Sequence, residues 1–140
     1  MFDLKNKVAI ITGSTRGIGK AVARSYAEAG ARVVISSRNA DACKSVAGEF
    51  TEAGLQAVDI PCHVGRKDQL QTLVDETRRA LGPIDILVCN AATNPVYGPM
   101  HQVPDDAFDT VINTNVRSVF QLCNMAVSYT HLTLPTILLV

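Results

Sequence analysis

The run Thr12-Gly13-Ser14-Thr15-Arg16-Gly17-Ile18-Gly19 is the segment of this 140-residue sequence that points most directly to chemistry. Its three glycines are spaced G-x-x-x-G-x-G. Glycine reaches backbone angles that a Cβ forbids, and it lets an anion approach main-chain N–H groups closely. If a helix begins there, its free N–H groups and the positive end of its dipole would hold a phosphate. The plainer reading is a tight turn with no ligand, and only the flanking elements decide between the two. Arg38 follows Ser36-Ser37 some twenty residues on, and Arg16 lies within the glycine run. Two guanidinium groups converging on one phosphate make a coherent anion site; two solvated surface arginines are the bland counterpart. Cys62-His63 could suggest a metal, but two adjacent ligands without partners elsewhere do not make a site, so no metal is expected. His101 and His131 lie apart and read as surface histidines. Cys43, Cys62, Cys89 and Cys123 are scattered without a Cys-x-x-Cys pair, as in a cytoplasmic protein with reduced thiols.

The elements around these residues alternate. Val8-Ala9-Ile10-Ile11 reads as a strand buried on both faces, running into Gly13. Ile18 to Ala29 has helical spacing, with Ile18, Val22, Ala23 and Tyr26 on one side, and stops at Gly30. Val33 to Ile35 is a second strand. Asn39 or Asp41 can cap a helix running to about Ala53, ended by Gly54. Gln56 to Pro61 is a weaker third strand, and Asp68 to Leu81 a third helix closed by Gly82-Pro83. Ile84 to Cys89 reads as a fourth buried strand. Positions 90–104 are broken by Pro and Gly, and Asp105 to about Ser128 returns to helical spacing, as two helices joined near Asn113. Alternating strands and helices imply right-handed crossovers and a parallel sheet. The expected fold is α/β: a Rossmann-like, doubly wound, three-layer parallel sheet of order 3-2-1-4, truncated, with room for a fifth strand.

Composition narrows the functional classes. Thirteen basic residues balance thirteen acidic ones, so neither a nucleic acid nor an anionic membrane is an expected partner. The apolar content of 47% supports one buried core. No apolar run approaches the roughly 20 residues of a membrane span, and residues 1–7 lack an apolar signal core.

With strand, glycine turn, helix and second strand in that order, the segment resembles the cofactor signature of the short-chain dehydrogenase/reductase family. Cys89-Asn90-Ala91-Ala92 is similar to that family's Asn-Asn-Ala-Gly motif after the fourth strand, and Asn113-Thr114-Asn115-Val116 to its helix motif. The resemblance spans roughly residues 5–127. Cys62-His63-Val64-Gly65 and the stretch 84–94 look closest to the NADPH-dependent carbonyl and retinal reductase branch. It implies a dinucleotide held by Gly13, Ser14, Thr15, Arg16, Gly17, Ile18 and Gly19, by Ser37 and Arg38, by His63 and Val64, and by Asn90, Ala91 and Ala92. An acid at the end of the second strand would receive ribose hydroxyls and repel a 2′-phosphate; Ile35-Ser36-Ser37-Arg38 has none, which favours NADP over NAD. His63 stands where the family usually has an Asp facing adenine. A neutral His accepts on one ring nitrogen only, depending on tautomer. Asn90 also reads as a loop cap.

Of the family's catalytic set only Asn115 is present, implied to hold a water that links the family's Lys to solvent. Tyr26, Tyr97 and Tyr129 are not followed by Lys at the family's four-residue spacing. From Val127 onward the residues resemble a translated sequencing adapter, so the expected division is 1–126 dinucleotide-binding domain and 127–140 non-native tail; Ile137 to Val140 could otherwise form the fifth strand. The expected parent transfers hydride between nicotinamide and a small carbonyl or alcohol and is a homo-oligomer, and the chain as written is expected to be inactive. A non-enzymatic nucleotide-binding or interaction protein, and another Rossmann-type enzyme such as a methyltransferase, are the competing readings; the three motifs in order argue against the latter.

Overall fold

The computed structural model describes residues 3–128. The expectations for a fifth strand and for the tail beyond Ser128 lie outside them. β1 (Val8–Thr12) is buried at every position, as a strand covered on both faces must be. It pairs in parallel with β2 (Arg32–Ser36) on one side and β4 (Ile86–Val88) on the other, and β3 (Ala57–Asp59) pairs with β2. The order is β3-β2-β1-β4, as expected for the doubly wound fold.

Alternating side chains divide the core into two layers. Ala9, Ile11, Val33 and Ile35 face α1 (Gly17–Glu28) and α2 (Ala40–Glu52), meeting Ala23, Ala27, Val46 and Phe50. Ile10 and Val34 face the other way, toward Leu70, Leu73 and Val74 of α3 (Lys67–Leu81) and Leu122 of α5 (Ser118–Val127). α4 (Asp105–Ile112) leads into α5 through a π-helical turn, Asn113–Arg117. The expected junction near Asn113 is therefore one widened turn in a continuous helical run, and such turns insert one extra residue without breaking the helix.

Two expectations need correction. Ile18 does not join the apolar face of α1: it is 77% exposed, because the core layer needs only Gly19, Ala23 and Ala27 with flanking Val22 and Tyr26. β4 is half-buried at all three positions and is an edge among the described strands. The lower end of the sheet is pinned by Asp85, whose carboxylate accepts from Val8 N–H at 2.9 Å and from Lys7 Nζ at 3.2 Å. The Val8 N–H is the main cause holding that carboxyl below its usual range.

Candidate dinucleotide-binding site

The chain reverses its direction of advance along the sheet between β1 and β4, so the loops leaving their carboxyl ends diverge and open a crevice. The crevice has a volume of about 670 Å³, a size suited to a small organic ligand. Along its floor run the glycine turn after β1, Ser37 and Arg38 after β2, Cys62 to Val64 after β3, and Asn90 to Thr93 after β4. Adjacent strands lie roughly 4.8 Å apart, so these four loops present one linear groove about 14 Å from first to last.

The glycine turn is built for close backbone packing. Gly13 and Gly17 have φ of 68° and 55°, in the left-handed region. A Cβ on Gly19 would sit 2.2 Å from the Gly13 carbonyl oxygen, so only glycine permits α1 to start against the strand. A Cβ on Gly17 would meet nothing within 4 Å, so this corner faces the crevice. No side chain caps α1, and its first hydrogen bond runs from Lys20 N–H to Arg16 O at 3.3 Å. The N–H groups at 17–19 are thus left over at the positive end of the helix.

Thr12 and Asn90 lock the turn to β4. Thr12 Oγ1 accepts from the N–H groups of Asn90 and Ala91, both at 3.0 Å. Asn90 Nδ2 donates to the carbonyls of Thr12 and Gly13, at 3.0 and 3.2 Å. Asn90 is therefore a crevice wall and a loop cap at once. Ser14, by contrast, lies behind the turn: it is fully buried, and its Oγ accepts from Ser36 N–H at 2.9 Å. Arg16 and Arg38 are both exposed at the crevice, and among the described residues neither has a carboxylate partner.

Asn115 also sits apart from the crevice lining. Its Oδ1 accepts from Thr93 N–H and its Nδ2 donates to Thr93 O, each at 2.9 Å. Two residues earlier, Asn113 Nδ2 donates to Gly65 O at 2.8 Å. The π turn thus ties together the loops after β3 and β4. Thr110 and Thr114, one helical turn apart, join the wall, as do Asn39, Ala42, Cys62 and Thr93. The threonine pair is the kind of signal a helical projection could have raised; the others depend on how the loops fold. Burial pushes the Cys62 thiol up to about 11, so it contributes a neutral wall and no thiolate.

Residues 7–132 match the family model for short chain dehydrogenase. The chain belongs to that family. Dehydrogenase/reductase SDR family member 4 of Oryctolagus cuniculus is 41% identical over 116 residues, which cover 83% of this chain and 45% of that protein. A short-chain type dehydrogenase/reductase from Mycobacterium marinum superposes with a TM-score of 0.83 at 43% identity, covering 89% of this chain and 50% of the other. A gluconate 5-dehydrogenase from Burkholderia cenocepacia, crystallised with NADP and tartrate, superposes at 0.85 with 34% identity, covering 91% of this chain and 50% of the other. The chain spans about half the length of the curated relatives it matches. It is thus a dehydrogenase-family chain carrying the family's nucleotide-binding fold, and among the described residues no helix is long and apolar enough to cross a membrane.

Proposed function

We propose that the chain is the dinucleotide-binding part of an NADP-dependent oxidoreductase that moves hydride between nicotinamide and a small carbonyl or alcohol. The observation that carries this reading is the exit of β2: Ser37 and Arg38 stand there without a carboxylate, Arg16 lines the same crevice, and neither guanidinium is neutralised among the described residues. A carboxylate there would repel a 2′-phosphate, whereas guanidinium groups favour it. The Burkholderia relative's NADP supports the same choice.

The cradle fits the group. The N–H groups at 17–19 offer the pyrophosphate donors with no side chain in the way. Gly13, Thr15 and Ile18 shape the approach, His63 and Val64 border the base end, and Asn90, Ala91 and Ala92 border the other end. The bound nicotinamide supplies or accepts the hydride. This chain's residues position it: Asn115 fixes Thr93, and Thr12 fixes Asn90 and Ala91, so the far wall is rigid before the cofactor arrives. In the whole protein Asn115 serves the catalytic proton path as a positioning residue, its side chain committed to the Thr93 peptide. Proton transfer then falls to residues outside this chain, and residues 1–140 alone are inactive. The whole protein assembles with further copies of itself, for which Phe108 of α4, Val116 of the π turn and Phe120 of α5 supply exposed apolar surface. A cytoplasmic, reducing setting suits its four free cysteines.

Fluorescence titration of the chain with NADPH and NADH tests the reading. NADPH should bind about tenfold tighter or better, the scale of one charge-assisted hydrogen bond. Equal affinities would refute the 2′-phosphate assignment.

A further inference from the structure

His63 occupies the loop after β3, beside Ser37: Cys62 N–H donates to Ser37 O at 2.9 Å, so the loop continues the groove past the β2 exit. On the reading proposed above, this is the base end of the dinucleotide. The ring of His63 is fixed by a backbone donor. Gly65 N–H donates to His63 Nδ1 at 3.1 Å. A peptide N–H cannot accept, so Nδ1 must carry the lone pair, and in the neutral ring the proton then sits on Nε2. Rotating the ring by half a turn would put a carbon against that N–H and lose the bond.

The surroundings hold this arrangement. His63 N–H donates to Gln69 Oε1 at 2.7 Å, Arg66 N–H donates to His63 O at 2.9 Å, and Asn113 grips Gly65 O from the π turn. A Cβ on Gly65 would come within 3.0 Å of His63 Cε1 and 3.1 Å of Asn113 Nδ2, so the ring and the amide pack directly on the glycine. The motif mimics an Asx turn, with imidazole Nδ1 in place of a carboxylate oxygen accepting from the N–H two residues on.

We propose that His63 is a specificity-determining residue that offers the purine a fixed N–H donor rather than an acceptor. An Asp at this place could keep the same turn with one oxygen and present the other as an acceptor for the 6-amino group of adenine. His63 cannot: at the 6-position its Nε2–H opposes an amino N–H and complements a 6-oxo group. The site therefore gives up the usual preference for a 6-amino purine.

The test compares NADPH with the nicotinamide hypoxanthine dinucleotide phosphate, in which a 6-oxo group replaces the 6-amino group. For the 140-residue chain, the 6-oxo form should bind at least as tightly as NADPH. In His63→Asp, NADPH should become about tenfold or more the tighter of the two, since the acceptor is now a charged oxygen. A wild-type preference for NADPH that His63→Asp leaves unchanged would overturn the proposal. If His63→Asp does not fold, long-range ¹H–¹⁵N correlation of the wild-type imidazole still decides: a protonated Nε2 supports the proposal and a protonated Nδ1 overturns it. Failure of both dinucleotides to bind the wild-type chain would instead defeat the cofactor reading on which the proposal rests, whatever the tautomer.

Discussion

α1 and α2 both start at the carboxyl edge of the sheet, one strand apart, and they start differently. α2 is closed off: Asn39 Oδ1 accepts from Ala42 N–H at 3.0 Å, and Asp41 lies in the first turn against the positive dipole end. α1 has neither device. Its cap residue, Arg16, has the extended backbone of a normal N-cap (φ −158°) but makes no side-chain cap bond, and no acid lies in the first turn. A missing cap typically forgoes about 1 kcal/mol. α3 also starts without a side-chain cap, at Arg66, but only α1 combines an open start with a glycine corner on the crevice, which on the reading proposed above leaves its donors for a ligand. β1 is buried throughout and β2 at every position but Arg32, so the contrast does not come from poorer packing of the strand before α1.

The largest effect that would break this contrast is steric. Gly19→Val must move the Gly13 carbonyl or Asn90 Nδ2, which a Cβ would approach to 2.2 and 2.6 Å. The first belongs to the turn proposed as the phosphate cradle, and the second holds that turn to the loop after β4. NADPH binding should disappear in a titration, while circular dichroism still shows an α/β protein. Retained affinity in a folded Gly19→Val protein would mean that the cradle is elsewhere.

Next in size is Arg16→Asp, which gives α1 what α2 has. A carboxylate at the cap position can accept from the first turn, so the cofactor-free protein should gain up to about 1 kcal/mol in urea unfolding. The same carboxylate fills the anion site and reverses a charge, so NADPH should weaken by well over tenfold, on the scale of about 1.5–3 kcal/mol for a lost charge-assisted bond plus repulsion. Gain in one measurement and loss in the other is the expected stability–function trade-off. Arg38→Ala is milder: roughly tenfold weaker NADPH and little change in NADH, because only the 2′-phosphate distinguishes them. Equal losses for both cofactors would remove Arg38 from 2′-phosphate recognition.

Much of this was legible in the sequence because it depends on local rules. Apolar runs of four and three residues, Val8 to Ile11 before Gly13 and Val33 to Ile35 after Gly30, place β1 and β2, and strand-helix alternation implies a parallel sheet. The side to which a residue turns was less legible. Ile18 fits the helical apolar stripe, but α1 meets the sheet so closely at Gly19 that the first turn has no room for a larger side chain on that face. Ser14 looked like part of the phosphate loop, yet its hydroxyl is committed to the Ser36 N–H across the strand gap. Asn115 and Thr93 are 22 residues apart in sequence, and their paired bonds exist only once the loop after β4 lies along the π turn. The tautomer of His63 depends on one N–H two residues away, whose direction is a property of the folded loop.

The smallest effect tests the closed helix start. Asn39→Ala removes the side-chain acceptor of Ala42 N–H. The main-chain bond from Cys43 N–H to Asn39 O, at 3.1 Å, survives the substitution, so the helix shortens at its first turn without unravelling. Stability should fall by about 1 kcal/mol, read as a lower urea midpoint with an unchanged slope, since the surface exposed on unfolding is nearly the same. Asn39→Asp should keep that stability, because aspartate caps as well as asparagine and also complements the dipole. If Asn39→Ala costs nothing, water satisfies the start of α2 as well as Asn39 does. An uncapped α1 would then be unremarkable in energy, and the case for donors reserved for phosphate would rest on the glycine geometry alone.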